Sequence, residues 1–295
     1  MTPGRAICVS RDRGLRGIVE PALASAGITV EHCDAVPGDT RGAVLVIVDR
    51  ATRQAAGPGG LAAIAGLATP VVIVGDDPGD DELIAAMLDA PVSHVIADPR
   101  DPDLGITAAK LASGDLFGLE KYLARGAAAC ARTIASEVDK RHAIGCTAAW
   151  AEAIGARQPV VHRLAGVVDE LVMNALYDTP AAAAPSAPSA VLRWAADDRM
   201  IAVSVGDSFG TLRQRDVIDH VRRARRERGR PLPERDAPRG AGIGLYLVLG
   251  NVASLVVNVE AGTRTEVVCL FDRTAPERPA APCVRSLHVF QAAAR

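Results

Sequence analysis

Five short apolar runs mark out the first hundred residues: AICVS (6–10), ITVEHC (28–33), AVLVIVD (43–49), PVVIVGD (70–76) and SHVIAD (93–98). They are continuous rather than alternating. That is the pattern of strands buried on both faces, and such strands belong to parallel sheets covered by helices. Between the first two runs, LRGIVEPALASAG has helical spacing and stops at Gly27. Repeated βα units predict a parallel, doubly wound α/β sheet. The ligand edge of such a sheet lies at the carboxyl ends of its strands.

Five strands do not use up 295 residues, a length that suggests two domains at ~100–200 residues each. With 49% hydrophobic but only 3% aromatic residues, the cores must be filled by Ala, Val and Leu. A net charge of −2 gives no bulk attraction for nucleic acid or an anionic membrane. The six cysteines form no C-x-x-C pair, which points to free thiols in a reducing compartment rather than a zinc site or a disulfide framework. The start, MTPGRAICVSRDRG, carries charges where a signal peptide needs an apolar core. No window reaches the ~20 apolar residues that span a bilayer. The expected compartment is the cytoplasm.

The pattern changes along the chain. Residues 1–112 hold the α/β repeats, and 113–127 read as a helical connector with Gly114, Gly118 and Gly126 as punctuation. A second domain is expected over 128–295. It opens with an expected strand, ARTIASEV (131–138), and a long helical region to about 177. AAAAPSAPSA (181–190) is too Pro-rich for helix or strand. AVLRWAADDRMIAVSVGD (190–207) predicts two strands around an Asp-Asp-Arg turn, and LVVNVEAGTRTEVVCLFD (255–272) a hairpin turning at Gly262. Helices followed by antiparallel strands predict an α+β two-layer sandwich. A basic, Pro-ended segment, 211–239, interrupts it.

On a helical wheel at ~100° per residue, Leu164, Val168, Leu171 and Ala175 form an apolar stripe. Glu170, Asn174 and Tyr177 form a second line at its rim, where polar groups can border a pocket. VSVGDSFG (203–210) ends a strand with Asp207 and then Gly210. RGAGIGLYLV (239–248) runs glycines into an apolar helix; Gly240, Gly242 and Gly244 allow close backbone approach, and a helix start attracts phosphate. It is neither a dinucleotide fingerprint nor a P-loop, because it has no surrounding βα unit and no G-K-[ST].

In that order, E-x-x-x-N-A on a helix, Asp at a strand end and G-x-G-x-G-L at a helix start resemble the GHKL ATPase superfamily over roughly residues 128–273. ELVMNALYDTP is similar to the N box of histidine kinases, GAGIGL to their G2 box, and GTRTEVVCLF to their closing T-x-F-x-L strand. The resemblance implies a GHKL ATPase fold that binds ATP with Mg²⁺. Asn174 would offer its amide oxygen to the metal and Glu170 would act as the catalytic base. Asp207 would accept from the adenine amino group with Thr265 beside it, Gly210, Gly240, Gly242 and Gly244 would admit the phosphates, and 211–239 would form a lid. The usual D-x-G-x-G is here Asp207-Ser208-Phe209-Gly210-Thr211, and Tyr177 replaces the N-box lysine. His142 and His162 lack the context of a phospho-accepting histidine, so the chain is more similar to the anti-sigma serine-kinase branch than to a sensor kinase.

The first domain resembles the flavodoxin-like receiver of two-component signalling, with Asp49 at the phospho-acceptor place. Around it the pattern departs. Ser10-Arg11 stand where receivers carry metal-binding acids, with Asp12 one step late; Gly75 replaces a Ser or Thr and Asp98-Pro99 replaces Lys-Pro. The expectation is a degenerate receiver used for contacts. Together the resemblances imply a signalling regulator acting on a protein partner, of a sigma-factor pathway or another, and leave a homodimer open. They also leave open whether ATP is transferred to Ser or Thr, slowly hydrolysed, or only bound as the gate of a binding module.

Overall fold

The computed structural model describes residues 4–57, 60, 63–64, 66–75, 85, 87, 92–177, 189–227, 244, 248–273 and 284–292. The chain is mixed α/β and divides into two compact units, Met1–Leu116 with Val284–Val289, and Phe117–Cys283 with Phe290–Arg295. Among the described residues no helix is long and apolar enough to cross a membrane.

In the first unit, β1 (Gly4–Val9), β2 (Ile28–Cys33), β3 (Ala43–Asp49), β4 (Val71–Val74) and β5 (His94–Ile96) form a parallel sheet in the order β2-β1-β3-β4-β5. All five are the runs expected from their apolar continuity. Helices α1 (Arg13–Ala24) and α3 (Asp103–Ser113) present Leu15, Val19, Leu23, Leu104 and Ala108 to Ala6, Cys8, Ile47 and Val74 of the sheet. The short α2 (Arg50–Ala55) follows β3 directly. Gly75 is dictated by β5, since a Cβ there would stand 2.9 Å from the Ala97 carbonyl oxygen.

The chain's last strand, β11 (Ser286–Gln291), lies antiparallel on β5, pairing Ser286 with Ile96 and His288 with His94. Val284–Val289 thus belong with the first unit, although sequence order places them in the second domain. A buried polar cluster accompanies the pairing. The Ser286 hydroxyl donates to Asp103 of α3, and the rings of His288 and His94 meet 5.4 Å apart, centre to centre. All four residues are buried, as is Lys110. Buried polar groups require such partners.

The second unit holds β6 (Cys130–Ile134), α4 (Glu137–Ala153), α5 (Gln158–Tyr177), β7 (Ala190–Ala196), β8 (Met200–Asp207), α6 (Gln214–Glu227), β9 (Ser254–Glu260) and β10 (Arg264–Asp272). The strands form an antiparallel sheet in the order β9-β10-β8-β7-β6. The expected strand 131–138 stops at Ile134, because Ser136 caps a helix instead, its hydroxyl accepting from the Asp139 N–H at 3.1 Å. The expected long helical region is two helices, parted at Gly155 with φ +81°. Both hairpin turns fall where the sequence puts them. Asp197 accepts from the Arg199 and Met200 N–H groups, both at 2.8 Å, and Gly262 takes φ +70°.

Helix α5 packs on β7, β8 and β10, and α4 packs on α5. Lys140 of α4, only 7% exposed, reaches Asp169 of α5 at 2.9 Å and Glu137 at 3.3 Å, and its ammonium also donates to the Met173 sulfur. This buried-stem, charged-tip clamp holds the helix that carries Glu170 and Asn174.

Candidate functional site

Leu164, Val168, Leu171 and Ala175 of α5 are buried, as the wheel requires, and Glu170 and Asn174 are half-buried beside them. Both make polar contacts within the protein. Gly244 lies against Glu170: a Cβ built on it would collide with the Glu170 carboxylate. A side chain at 244 would require the Glu170 carboxylate to swing aside. The structure therefore brings one glycine of the GAGIGL stretch to the acidic residue of the ELVMN stretch, across 74 residues of sequence. Gly240 and Gly242 lie outside the described residues, as does the part of the expected lid from 228 to 239. The described part of that segment forms α6, which buries Val217, Ile218 and Val221 and turns Arg215 and Arg222 outward.

Asp207 ends β8 directly opposite Thr265 of β10 in the antiparallel register. Paired residues in such a ladder point to the same face. Burial holds the Asp207 carboxyl above the usual carboxylate range; N–H bonds from Phe209 and Gly210 and the neighbouring Thr265 pull the other way without cancelling it. Two of those bonds, from Phe209 at 2.8 Å and Gly210 at 3.3 Å, both fall on Oδ1. The turn they close does not need the second oxygen. Thr265 is 4% exposed, and its buried hydroxyl stands beside the carboxylate, which it helps to hold in the charged form.

Gly210 is fixed by its own loop. With φ +59° it faces the β9–β10 turn, where an added Cβ would stand 2.7 Å from the Thr263 nitrogen and 2.8 Å from the Gly262 nitrogen. Its carbonyl accepts from the Gly262 N–H at 3.1 Å.

At the carboxyl edge of the parallel sheet, Asp49 is held by its neighbours. The Ser10 hydroxyl donates to one carboxylate oxygen, and the other accepts from the Thr52 N–H at 2.5 Å, capping α2. Asp12 caps α1 through the Gly14 N–H at 2.7 Å, and Asp98 accepts from the Arg100 N–H at 2.9 Å. Asp49 and Asp12 each serve a helix start, and Asp98 serves a turn.

Two features escaped the sequence reading. One is the Lys140–Asp169 clamp, which joins residues 29 positions apart on different helices. The other is Glu266, buried on β10 next to Thr265, whose Oε2 accepts from the Gly118 N–H at 2.8 Å and from the Asn258 amide at 3.1 Å. A lone acid inside the apolar run TEVVCLF was its only trace. The chain matches no known protein-family model and no curated protein.

Proposed function

We propose that the second unit binds a nucleotide, ATP with Mg²⁺, in the manner of the GHKL ATPases it resembles, and that the protein is a signalling regulator acting on a protein partner. The observation that carries this reading is the Asp207–Thr265 pair. A carboxylate partly stripped of water with a buried hydroxyl beside it forms an acceptor–donor set that suits the amino edge of a purine. The meeting of Gly244 with Glu170 supports it at the other end of the motif order.

The oxygens of Asn174 and Glu170, one helical turn apart, fit a hard cation. Among the described residues no cluster of three His, Cys, Asp or Glu side chains could hold a metal, so the metal would rely on Asn174 together with the ligand's own phosphate oxygens. Bound there, Mg²⁺ would neutralise charge on the triphosphate. Asn174 then holds the ligand, and Glu170 orients or deprotonates an attacking hydroxyl. The first unit acts through contacts, because Asp49 and Asp12 are taken up by helix caps.

A second reading, a nucleotide-gated binding module without turnover, is favoured by Gly210. Its N–H and carbonyl are both spent within the protein, and its Cβ side is filled by the β9–β10 turn. No part of it remains to meet a phosphate.

Calorimetric titration with ATP, with and without Mg²⁺, tests both readings. Asp207→Ala should abolish binding without unfolding the protein, and Asn174→Ala should remove the Mg²⁺ dependence. Glu170→Ala should bind normally and, in an enzyme, release phosphate ~10²–10⁴-fold more slowly. Equal affinity in wild type and Asp207→Ala refutes the nucleotide reading. Turnover by Glu170→Ala at the wild-type rate refutes the enzymatic one.

A further inference from the structure

The connector that opens the second unit is fastened across the back of its sheet. Gly118 donates its N–H to Glu266 of β10 at 2.8 Å. The Arg264 guanidinium of β10 lies 3.7 Å over the Phe117 ring. Glu120 pairs with Arg193 of β7, and the Ala124 N–H donates to Asp197 in the β7–β8 turn at 2.8 Å. Leu119 and Tyr122, in a 3-10 turn over Leu119–Tyr122, bury their side chains beneath the strap. The fastenings run over β10 and β7, and the 3-10 turn packs on the intervening β8.

The register of β10 gives this strap a consequence. Successive strand residues alternate between faces, so Arg264 and Glu266 share the strap face and Thr265 between them points to the other, toward Asp207. Glu266 is 7% exposed, and Asn258, which also donates to it, is fully buried. The two residues that grip the strap are therefore the immediate neighbours of the one that faces the ligand.

We propose that Arg264 and Glu266 are positioning residues: by pinning β10 to the strap Phe117–Tyr122, they set the place of the Thr265 hydroxyl against Asp207 and make the strap sense whether that site is filled. The inference rests on the nucleotide reading. The strap begins at Phe117, the residue after the first unit's main segment ends at Leu116.

Hydrogen exchange at the Gly118 amide, read with and without ATP and Mg²⁺, together with ATP affinity by calorimetry, tests it in the full chain. Adding ATP should slow Gly118 exchange in the wild type. Glu266→Ala should weaken ATP binding by about tenfold, on the order of one lost buried hydrogen bond to a charged group. Glu266→Gln keeps an acceptor and should bind within about twofold of wild type. If Glu266→Ala does not fold, Arg264→Ala takes its place; that side chain is half-exposed, and its loss should weaken ATP binding about threefold through the cation–π contact. A merely structural Glu266 would lower the melting temperature of its Ala variant and leave Gly118 exchange blind to ATP, and that result overturns the positioning role. ATP that fails to bind the wild type overturns the nucleotide reading and this inference with it. ATP that binds with unchanged Gly118 exchange, or with equal affinity in the folded variants, overturns this inference alone.

Discussion

Lowering the pH from 7 to 5 should unfasten β11 from β5 before any carboxylate chemistry takes part. His94 and His288 are buried in that pairing, at 2% and 0% exposure. Burial, helped by the nearby Lys110 ammonium, pushes the His94 imidazole down from 6.5 to about 3. Burial, then the neighbouring His94 and then Lys110, hold His288 well below 6.5 as well. Asp103 of α3 faces the same cluster, 3.9 Å from the His288 Nε2, and Ser286 donates to it. Both imidazoles are thus neutral in the fold, and each takes up a proton near pH 6.5 once released. A base whose folded pKa is depressed keeps its full stability above the unfolded value. That stability is lost as pH falls from about 6.5 toward the folded value, because only the opened state gains the proton. Between pH 7 and pH 5 the loss is about 2 kcal/mol per histidine, so about 4 kcal/mol for the pair. Hydrogen exchange of the β5 and β11 amides gives the local opening free energy at each pH and does not require the two units to unfold together. A fall of only about 2 kcal/mol between pH 7 and 5 would show that one imidazole is already protonated in the fold, and a fall of less than about 1 kcal/mol that both are, which would refute the reasoning.

Other perturbations follow from single contacts. Wild-type protein treated with acetyl phosphate and Mg²⁺ should show no added phosphate by mass, because Asp49 is engaged by Ser10 and the Thr52 N–H; a gain lost in Asp49→Asn would refute this. Asp49→Ala should cost about 1 kcal/mol in urea unfolding, the value of a helix N-cap. Gly244→Ala should cost about 1 kcal/mol or less, since the new methyl has only to push aside the end of the flexible Glu170 side chain; a larger fall in urea-unfolding stability would show that backbone crowds Gly244 instead. Lys140→Met should loosen α4 from α5 by about 1 kcal/mol, with the effect shrinking at high salt, because both acidic partners are half-exposed. A salt-independent loss would assign the effect to packing of the Lys140 stem instead.

Local pattern determined much of this protein. The five apolar runs became the five parallel strands, because a run of Val and Ile with no polar alternation is stable only when covered on both sides. Asp197 and Gly262 fixed their turns through side-chain and backbone chemistry confined to a few residues. The rim position of Glu170 and Asn174 followed from 3.6-residue periodicity alone. Local chemistry also explains the misplaced boundary at 131–138, where the Ser136 cap outweighed the strand propensity of its neighbours. Only the tertiary structure decided which distant groups meet. No periodicity reveals that Gly244 backs onto Glu170, that Thr265 is buried opposite Asp207, or that Glu266 holds a strap from 148 residues earlier. The same holds for β11, whose hydrophobic run would suit either unit until Ser286 and His288 find Asp103 and His94. Those contacts depend on strand register and on the cost of burying polar groups without partners, and both are settled only when the whole chain has closed around them.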